Sequence, residues 1–324
     1  MEGMTIARAP LRITLGGGAT DLPSYSETHG GFCLTAAIDR YVHVIVRNHF
    51  ENDLIVKYSR TERVSDASKI EHPIIRETFA AMENDGRGLE VVSMADVPAG
   101  TGLGSSGSFT VALVAALSAH RGVILKRREI AEKACEIEID RLKEPIGRQD
   151  QWASAFGGVR AFHFGPGKAV TLSPPKISKE TLADLEDSLM LFHSGQCRSA
   201  SEILKDQHEQ TILANGEMLH NLLSVKNNGL QAKVHLENGR LMEFAECVNF
   251  HWHLKKARCG QNPELGEIIA RLLDAGALAA RPVGAGQGGF IMSMGGNKSD
   301  LRRAIRQCRE LRFRFDPGGV KVTQ

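Results

Sequence analysis

The chain has 324 residues, 42% hydrophobic and 24% charged. That length suggests two domains, and the composition excludes a disordered chain. A net charge of +2 is too mild for a nucleic-acid binder, and the densest basic run, Lys126-Arg127-Arg128, meets Glu129 at once and reads as the solvated start of a helix. Six scattered cysteines form no CxxC pair, and neither a signal peptide nor an apolar run of spanning length is found. The expectation is a cytoplasmic protein with reduced thiols and no membrane partner.

From Thr5 to Val46 short β-type segments alternate with glycine-rich turns: Arg12-Ile13-Thr14-Leu15 runs into Gly16-Gly17-Gly18. Tyr41–Arg47 alternates β-branched and polar residues as a strand does, and Leu54–Tyr58 is expected as its hairpin partner. The spacing predicts helices over 73–82, 108–120 and 129–142, and strands over 89–93 and 159–164. Gly165-Pro166-Gly167 and Ser173-Pro174-Pro175 punctuate the chain, so a boundary falls at roughly 168–182, dividing it into 1–175 and 176–324. Beyond it, 189–193 reads as a strand, 200–256 as mostly helix, and 290–294 as a strand after a second glycine-rich turn. This order is α+β, not the strict alternation of a doubly wound parallel sheet.

Pro98-Ala-Gly-Thr-Gly-Leu-Gly-Ser-Ser-Gly107 lies between a strand and an apolar helix. Glycines admit close approach by an anion, and the helix N-terminus offers free N–H groups and the positive end of its dipole. The segment therefore reads as a cradle for nucleotide phosphates, with the Ser105 and Ser106 hydroxyls available to phosphate or Mg²⁺. No Lys precedes the serines, which excludes a Walker A loop, and the GxGxxG and GxSxG spacings both fail. A ligand-free glycine turn is the plain alternative. Cys247, His251, His253 and Cys259 include one i, i+4 pair but no zinc-ligand spacing.

Three separated segments resemble the motifs of the GHMP kinases, the superfamily of galactokinase, homoserine kinase, mevalonate kinase and phosphomevalonate kinase. They are Pro10-Leu-Arg-Ile-Thr-Leu-Gly-Gly-Gly-Ala-Thr-Asp21, the Pro98–Gly107 loop, and Val283-Gly-Ala-Gly-Gln-Gly-Gly-Phe290. The resemblance implies a two-domain α+β GHMP kinase fold with an N-terminal α/β domain and a ferredoxin-like C-terminal domain, and an ATP-dependent, Mg²⁺-requiring sugar kinase. It assigns ATP to Pro98, Gly100, Thr101, Gly102, Leu103, Gly104, Ser105, Ser106 and Gly107. Asp150, in Gln149-Asp-Gln151, becomes the catalytic base, with Arg12 as its cationic partner; Asp150 is also suited to cap a helix starting at Gln151. Ser106 and Glu138 become the metal ligands, with Glu136 and Glu144 as competitors.

The same resemblance turns Gly17, Gly18, Thr20 and Asp21 toward the sugar. Galactokinases carry Gly-Glu-His before Thr-Asp, whereas this chain has Gly17-Gly18-Ala19, which removes two polar sugar contacts and opens space. In this respect, and in Gln-Asp-Gln, it resembles the branch acting on O1 of D-glycero-D-manno-heptose 7-phosphate, whose product feeds nucleotide-activated heptose and surface polysaccharide synthesis. Such a substrate needs a second anion site, for which Ser194, Gly195 and Arg198 are expected, with Lys255 and Lys256 as further bases. Gly286, in the third motif, is expected near the substrate, while Gln287 and Ala279-Ala280-Arg281 depart from the common pattern. A galactokinase- or fucokinase-like enzyme and a non-catalytic sugar and ATP sensor of this fold stay as alternatives.

Overall fold

Apolar alternation builds two long antiparallel strands, β1 (Met4–Gly16) and β2 (Gly31–Asn48), joined by the short helix α1 (Pro23–His29). The structure is a computed structural model describing residues 3–196, 200–213, 215–260, 262–286 and 288–324, with the side chains of 200–204 outside the description. Pro10 has no N–H to give to the ladder, and the β1–β2 register shifts just after it. The shift changes which residues face which side. Ala7 and Ala9 pack in one core, whereas Leu11, Ile13 and Leu15 pack in another. Beyond the shift, Arg12 and Thr14 are left facing a cavity.

β3 (Leu54–Lys57) and β4 (Thr61–Val64) form a hairpin, α2 (Pro73–Ala81) follows, and β5 (Leu89–Ala95) returns to the sheet. The expected pairing of Leu54–Tyr58 with Tyr41–Arg47 does not form. β5 lies between them, antiparallel to β2 and parallel to β3, because the α2 crossover brings the chain back into that slot. His49 donates to the Gly88 carbonyl, and Gly88 to that of Asp53, so the entry to β5 is wedged between the two expected hairpin arms.

α3 (Ser105–His120) starts three residues earlier than its apolar run suggests, with Gly104 as N-cap in the left-handed region. It is apolar nearly all round because it is buried, lying against β1, β2, α4 (Arg127–Cys135) and α5 (Gln149–Phe156). The helix expected over 129–142 is instead α4 followed by a wide π turn, Glu136–Arg141, that carries Glu138. β6 (Val159–Phe164) and β7 (Val170–Ser173) complete the first half of the chain.

After α6 (Lys179–Ser188) comes β8 (Leu189–His193), then the helices α7 (Ala200–Ile212), α8 (Gly216–Glu237), α9 (Leu241–Cys259) and α10 (Pro263–Asp274). β9 (Ala279–Pro282), β10 (Phe290–Met294), α11 (Lys298–Ala304) and β11 (Arg309–Leu311) follow, making a second sheet in the order β11-β8-β10-β9. The chain then returns to the first sheet, where β12 (Lys321–Thr323) pairs with β1. One core cluster joins Leu11, Ile13 and Leu34 of the first sheet to Ala232, Phe244, Val248 and Met292 of the second half, so the two halves bury apolar area against each other. Among the described residues, no helix is long and apolar enough to cross a membrane.

The two halves meet closely at α8. A Cβ on Gly229 would lie 2.6 Å from the Gly17 backbone nitrogen and 2.7 Å from its Cα, both backbone atoms without a side chain's freedom to yield. Gly229→Ala should therefore push α8 off β1 and lower stability by about 1–3 kcal/mol in thermal or urea denaturation. Gly216→Ala, where a Cβ meets nothing within 4 Å, should be neutral or slightly stabilising.

Candidate active site

Arg12 reaches from β1 into a fork of contacts. Its Nε donates to Asp150 Oδ1 at 2.8 Å and its Nη2 lies 2.6 Å from the same oxygen, while Nη1 donates to the Gly102 carbonyl at 2.6 Å. Its backbone N–H donates to the Leu103 carbonyl at 3.0 Å. One buried guanidinium thus ties strand, glycine loop and Asp150 together, as a planar multi-donor group can. Asp150 is the second residue of α5, whose N-cap is Arg148, so it does not cap a helix at Gln151; it sits in the first turn, where the helix dipole favours an acid. The glycines explain how α3 and α5 come so close. A Cβ on Gly107 would fall 2.8 Å from Asp150 Cβ, and one on Gly104 3.2 Å from its Oδ2.

Ser106, in the first turn of α3, donates to Glu138 Oε1, and Gln151 Nε2 donates to Glu138 Oε2 at 2.7 Å. Glu138 is buried and has no cation beside it among the described ion pairs; burial pushes its carboxyl up to about 7. Glu136, by contrast, pairs with Lys133 at 2.7 Å on the other side of the turn. A hydroxyl and a buried carboxylate facing one cavity are hard oxygen donors, and they fit a Mg²⁺ ion.

Asp21 closes the other end. It is buried; its Oδ2 accepts from the Gln149 backbone N–H at 2.9 Å and its Oδ1 from Gln149 Nε2 at 3.4 Å. Burial, and then Asp150, raise its carboxyl above the ordinary range. Gln149 Oε1 accepts from the Thr14 hydroxyl at 2.9 Å, so a single glutamine fixes both β1 and Asp21 beside Asp150. Gly147 must lack a side chain, since a Cβ there would stand 1.9 Å from Asp21 Oδ2.

The third glycine motif packs backbone to backbone on the loop. A Cβ on Gly284 would lie 2.5 Å from Gly102 Cα, and Phe290 donates to the Thr101 carbonyl at 3.1 Å. Between the halves lies a cavity of about 350 Å³, lined by Arg12, Gly18, Asp21, Gly100, Gly102, Gly104, Ser105, Ser106, Gly107, Glu138 and Asp150.

Other expected residues stand behind this wall. Gly17 packs under Phe32 and Gly229. The Thr20 hydroxyl is consumed by the Gly17 and Phe32 carbonyls at 2.8 and 2.9 Å, so it clamps a turn. Leu103 is core, Thr101 donates to the Pro98 carbonyl, and Pro98 lies exposed at the loop's entry. Ser194 donates its N–H to Gly289 and Gly195 to His193; neither lines the cavity, and Arg198, like Gln287, lies outside the described residues. Gly286 covers the Lys255 side chain, which a Cβ would meet at 2.5 Å.

Residues that sequence reasoning passed over include Gln149, Gln151, His251, Arg258 and, as a cavity residue, Arg281. The signal for His251, Lys255 and Arg258 was their i, i+4, i+7 spacing, which puts three bases on one face of α9. Pairing His251 with Cys247 had obscured it.

Residues 70–158 match the GHMP kinases N terminal domain and residues 232–311 the GHMP kinases C terminal domain, together just over half of the chain. A D-glycero-alpha-D-manno-heptose 7-phosphate kinase of Campylobacter jejuni is 28% identical over 333 residues, covering 97% of each chain. Among solved structures, a D-glycero-D-manno-heptose 1-phosphate kinase of Bacteroides thetaiotaomicron has a TM-score of 0.78 at 23% identity, covering 99% of each chain. A Lactococcus lactis galactokinase complexed with galactose has a TM-score of 0.79 at 18% identity, covering 99% of this chain and 95% of its own. The last two bear on the fold.

The Glu138 carboxyl carries a testable sign. Its folded value, near 7, lies above the ordinary 4.5, so the folded state holds a proton that the unfolded state releases between those values. Its contribution to stability is therefore fully present below pH 4.5 and is lost as pH rises to about 7, a change of roughly 3 kcal/mol. Glu138→Gln, which mimics the protonated acid, should flatten that fall in urea unfolding of the ligand-free protein between pH 5 and 8. An unchanged slope would contradict the assignment.

Proposed function

We propose, from the premise that this chain belongs to the GHMP kinase family and is an ATP-dependent sugar kinase, that it phosphorylates the anomeric O1 hydroxyl of D-glycero-D-manno-heptose 7-phosphate, giving the 1,7-bisphosphate. One observation carries the mechanism: Asp150, Asp21 and the N-terminus of α3 open on a single cavity, with Arg12 bound to both the base and the glycine loop. The choice of acceptor is supported by likeness to the Campylobacter jejuni enzyme along nearly the whole chain, and by Gly17-Gly18-Ala19, which leaves room where galactokinases carry Gly-Glu-His.

In this reading the nucleotide phosphates lie on the Gly100–Gly107 loop, where unpaired N–H groups of the first turn of α3 face them. Asp21 accepts hydrogen bonds from sugar hydroxyls. Asp150 takes the proton from O1 as that oxygen attacks the γ-phosphorus; the bond from phosphorus to the β-phosphate oxygen breaks, and ADP leaves. Arg12 keeps the Asp150 carboxylate aimed and neutralises charge beside the transferring group. Ser106 and Glu138 would hold Mg²⁺, which when bound would neutralise charge on the nucleotide phosphates.

Asp150→Asn should lower kcat at least a thousandfold while leaving the ATP dissociation constant within about threefold, as expected for a proton acceptor off the nucleotide. Full transfer in that variant would sink the mechanism. Among acceptors, coupled ADP-release assays should rank D-glycero-D-manno-heptose 7-phosphate above free heptose, galactose and fucose. A free sugar ranked first would move the assignment to a galactokinase- or fucokinase-like activity, and ADP release with none of them would favour a sensor.

A further inference from the structure

The C-terminal wall of the cavity carries basic side chains that the mechanism does not use. His251, Lys255 and Arg258 come from one face of α9, and Arg281 comes from β9. Three are almost wholly buried, with Arg281 1%, His251 2% and Lys255 3% exposed. None of the four has a carboxylate partner among the described ion pairs. Their polar contacts are few and neutral. Lys255 Nζ donates to the carbonyls of Pro282 and Gly284 at 3.2 and 2.8 Å, Arg258 Nη1 to Asn221 Oδ1 at 2.8 Å, and Arg281 Nη2 to the Thr14 carbonyl. Among the described residues, Arg258 Nε, Arg281 Nε and His251 Nδ1 are buried with no partner, and Lys255 retains a third N–H.

Clustering buried basic groups without an anion is costly, because each charged form loses its hydration and repels the others, and burial with these neighbours holds His251 well below the ordinary histidine range. The strain shows in their acidities. Burial, then Arg281, drives Lys255 well below the ordinary lysine range, and burial with Arg12 lowers Arg281 to about 10. An anion entering this wall would meet forked and single donors already aimed at it, the arrangement that suits phosphate oxygens.

Position decides which phosphate. Arg281 holds the carbonyl of Thr14, whose hydroxyl holds Gln149, which holds Asp21. Arg258 is anchored to α8 through Asn221, and Gln207 of α7 donates to the Ala19 carbonyl at 3.1 Å beside it on the cavity wall. These are acceptor-side elements. Lys255 stands between, since Gly284, to which it donates, packs on Gly102 of the nucleotide loop. We propose that His251, Lys255, Arg258 and Arg281 form the subsite that receives the phosphate monoester of the acceptor sugar, so that the enzyme selects a sugar already phosphorylated at its far end. This rests on the reading of the chain as a sugar phosphate 1-kinase. It places the anion site on α9 and β9, whereas Ser194 and Gly195 of the expected site do not line the cavity and Arg198 lies outside the described residues.

The test compares D-glycero-D-manno-heptose 7-phosphate with the unphosphorylated heptose. In Arg258→Gln and Lys255→Met the ratio of kcat/KM between the two sugars should fall at least tenfold, and Arg258→Lys should recover part of it. A ratio retained within twofold, whether both sugars weaken alike or the ATP KM rises instead, overturns the proposal. Arg258 is half-exposed, so its variants remain informative if Lys255→Met does not fold. Calorimetric titration of both sugars without ATP separates this from the kinase reading. If no sugar is phosphorylated, the subsite still stands when the native protein binds the 7-phosphate at least tenfold more tightly than the heptose and Arg258→Gln abolishes that preference. Equal affinities in the native protein overturn it.

Discussion

Arg12 holds the centre of the molecule together. Its backbone and all three guanidinium nitrogens are spent on β1, the glycine loop and the first turn of α5. A guanidinium is suited to this because its donors lie in one rigid plane, so fixing one contact orients the others. The register shift at Pro10 supplies the direction, turning Arg12 out of the sheet's core and into the cleft.

Around this fork the cavity divides by charge. On one side the carboxyls of Asp21 and Glu138, both raised by burial, stand with Asp150 under the glycine loop. On the other stand the bases of α9 and β9. Burial disfavours the charged forms of Asp21 and Glu138 on the first side and of His251, Lys255 and Arg281 on the second. The backbone contact between Gly102 and Gly284 joins the two walls, and glycine at each position is what allows that approach.

The fold was legible in part. Strand and helix positions followed from apolar spacing, yet the partner of β3 did not, because pairing across a sheet depends on where a distant strand returns. The start of α3 lies three residues before its apolar run, since Ser105, Ser106 and Gly107 carry no apolar periodicity; Gly107 packs on α5 and Ser106 bonds Glu138 of the π turn. The separation of Glu138 from Glu136 was equally invisible: a π turn, not a regular helix, sets which of them faces Ser106. Thr20 and Gly17 belong to a recognisable motif, but their part in it is to hold a turn and to admit α8.

The sequence by itself determined the chemistry of the nucleotide side. Glycines, two serines, Arg12 and Asp150 stand in short linear patterns whose residue types are dictated by close backbone approach, phosphate charge and proton transfer. Only the tertiary structure decided how the rest of the cavity is lined. Asp21, Gln149, Arg258 and Arg281 are spread over 261 positions of the chain and come to line one cavity only where α8 packs on β1 and β9 on α9. Local patterns record what a loop must be made of; the burial that joins distant cations is a property of packing, and no single segment carries it.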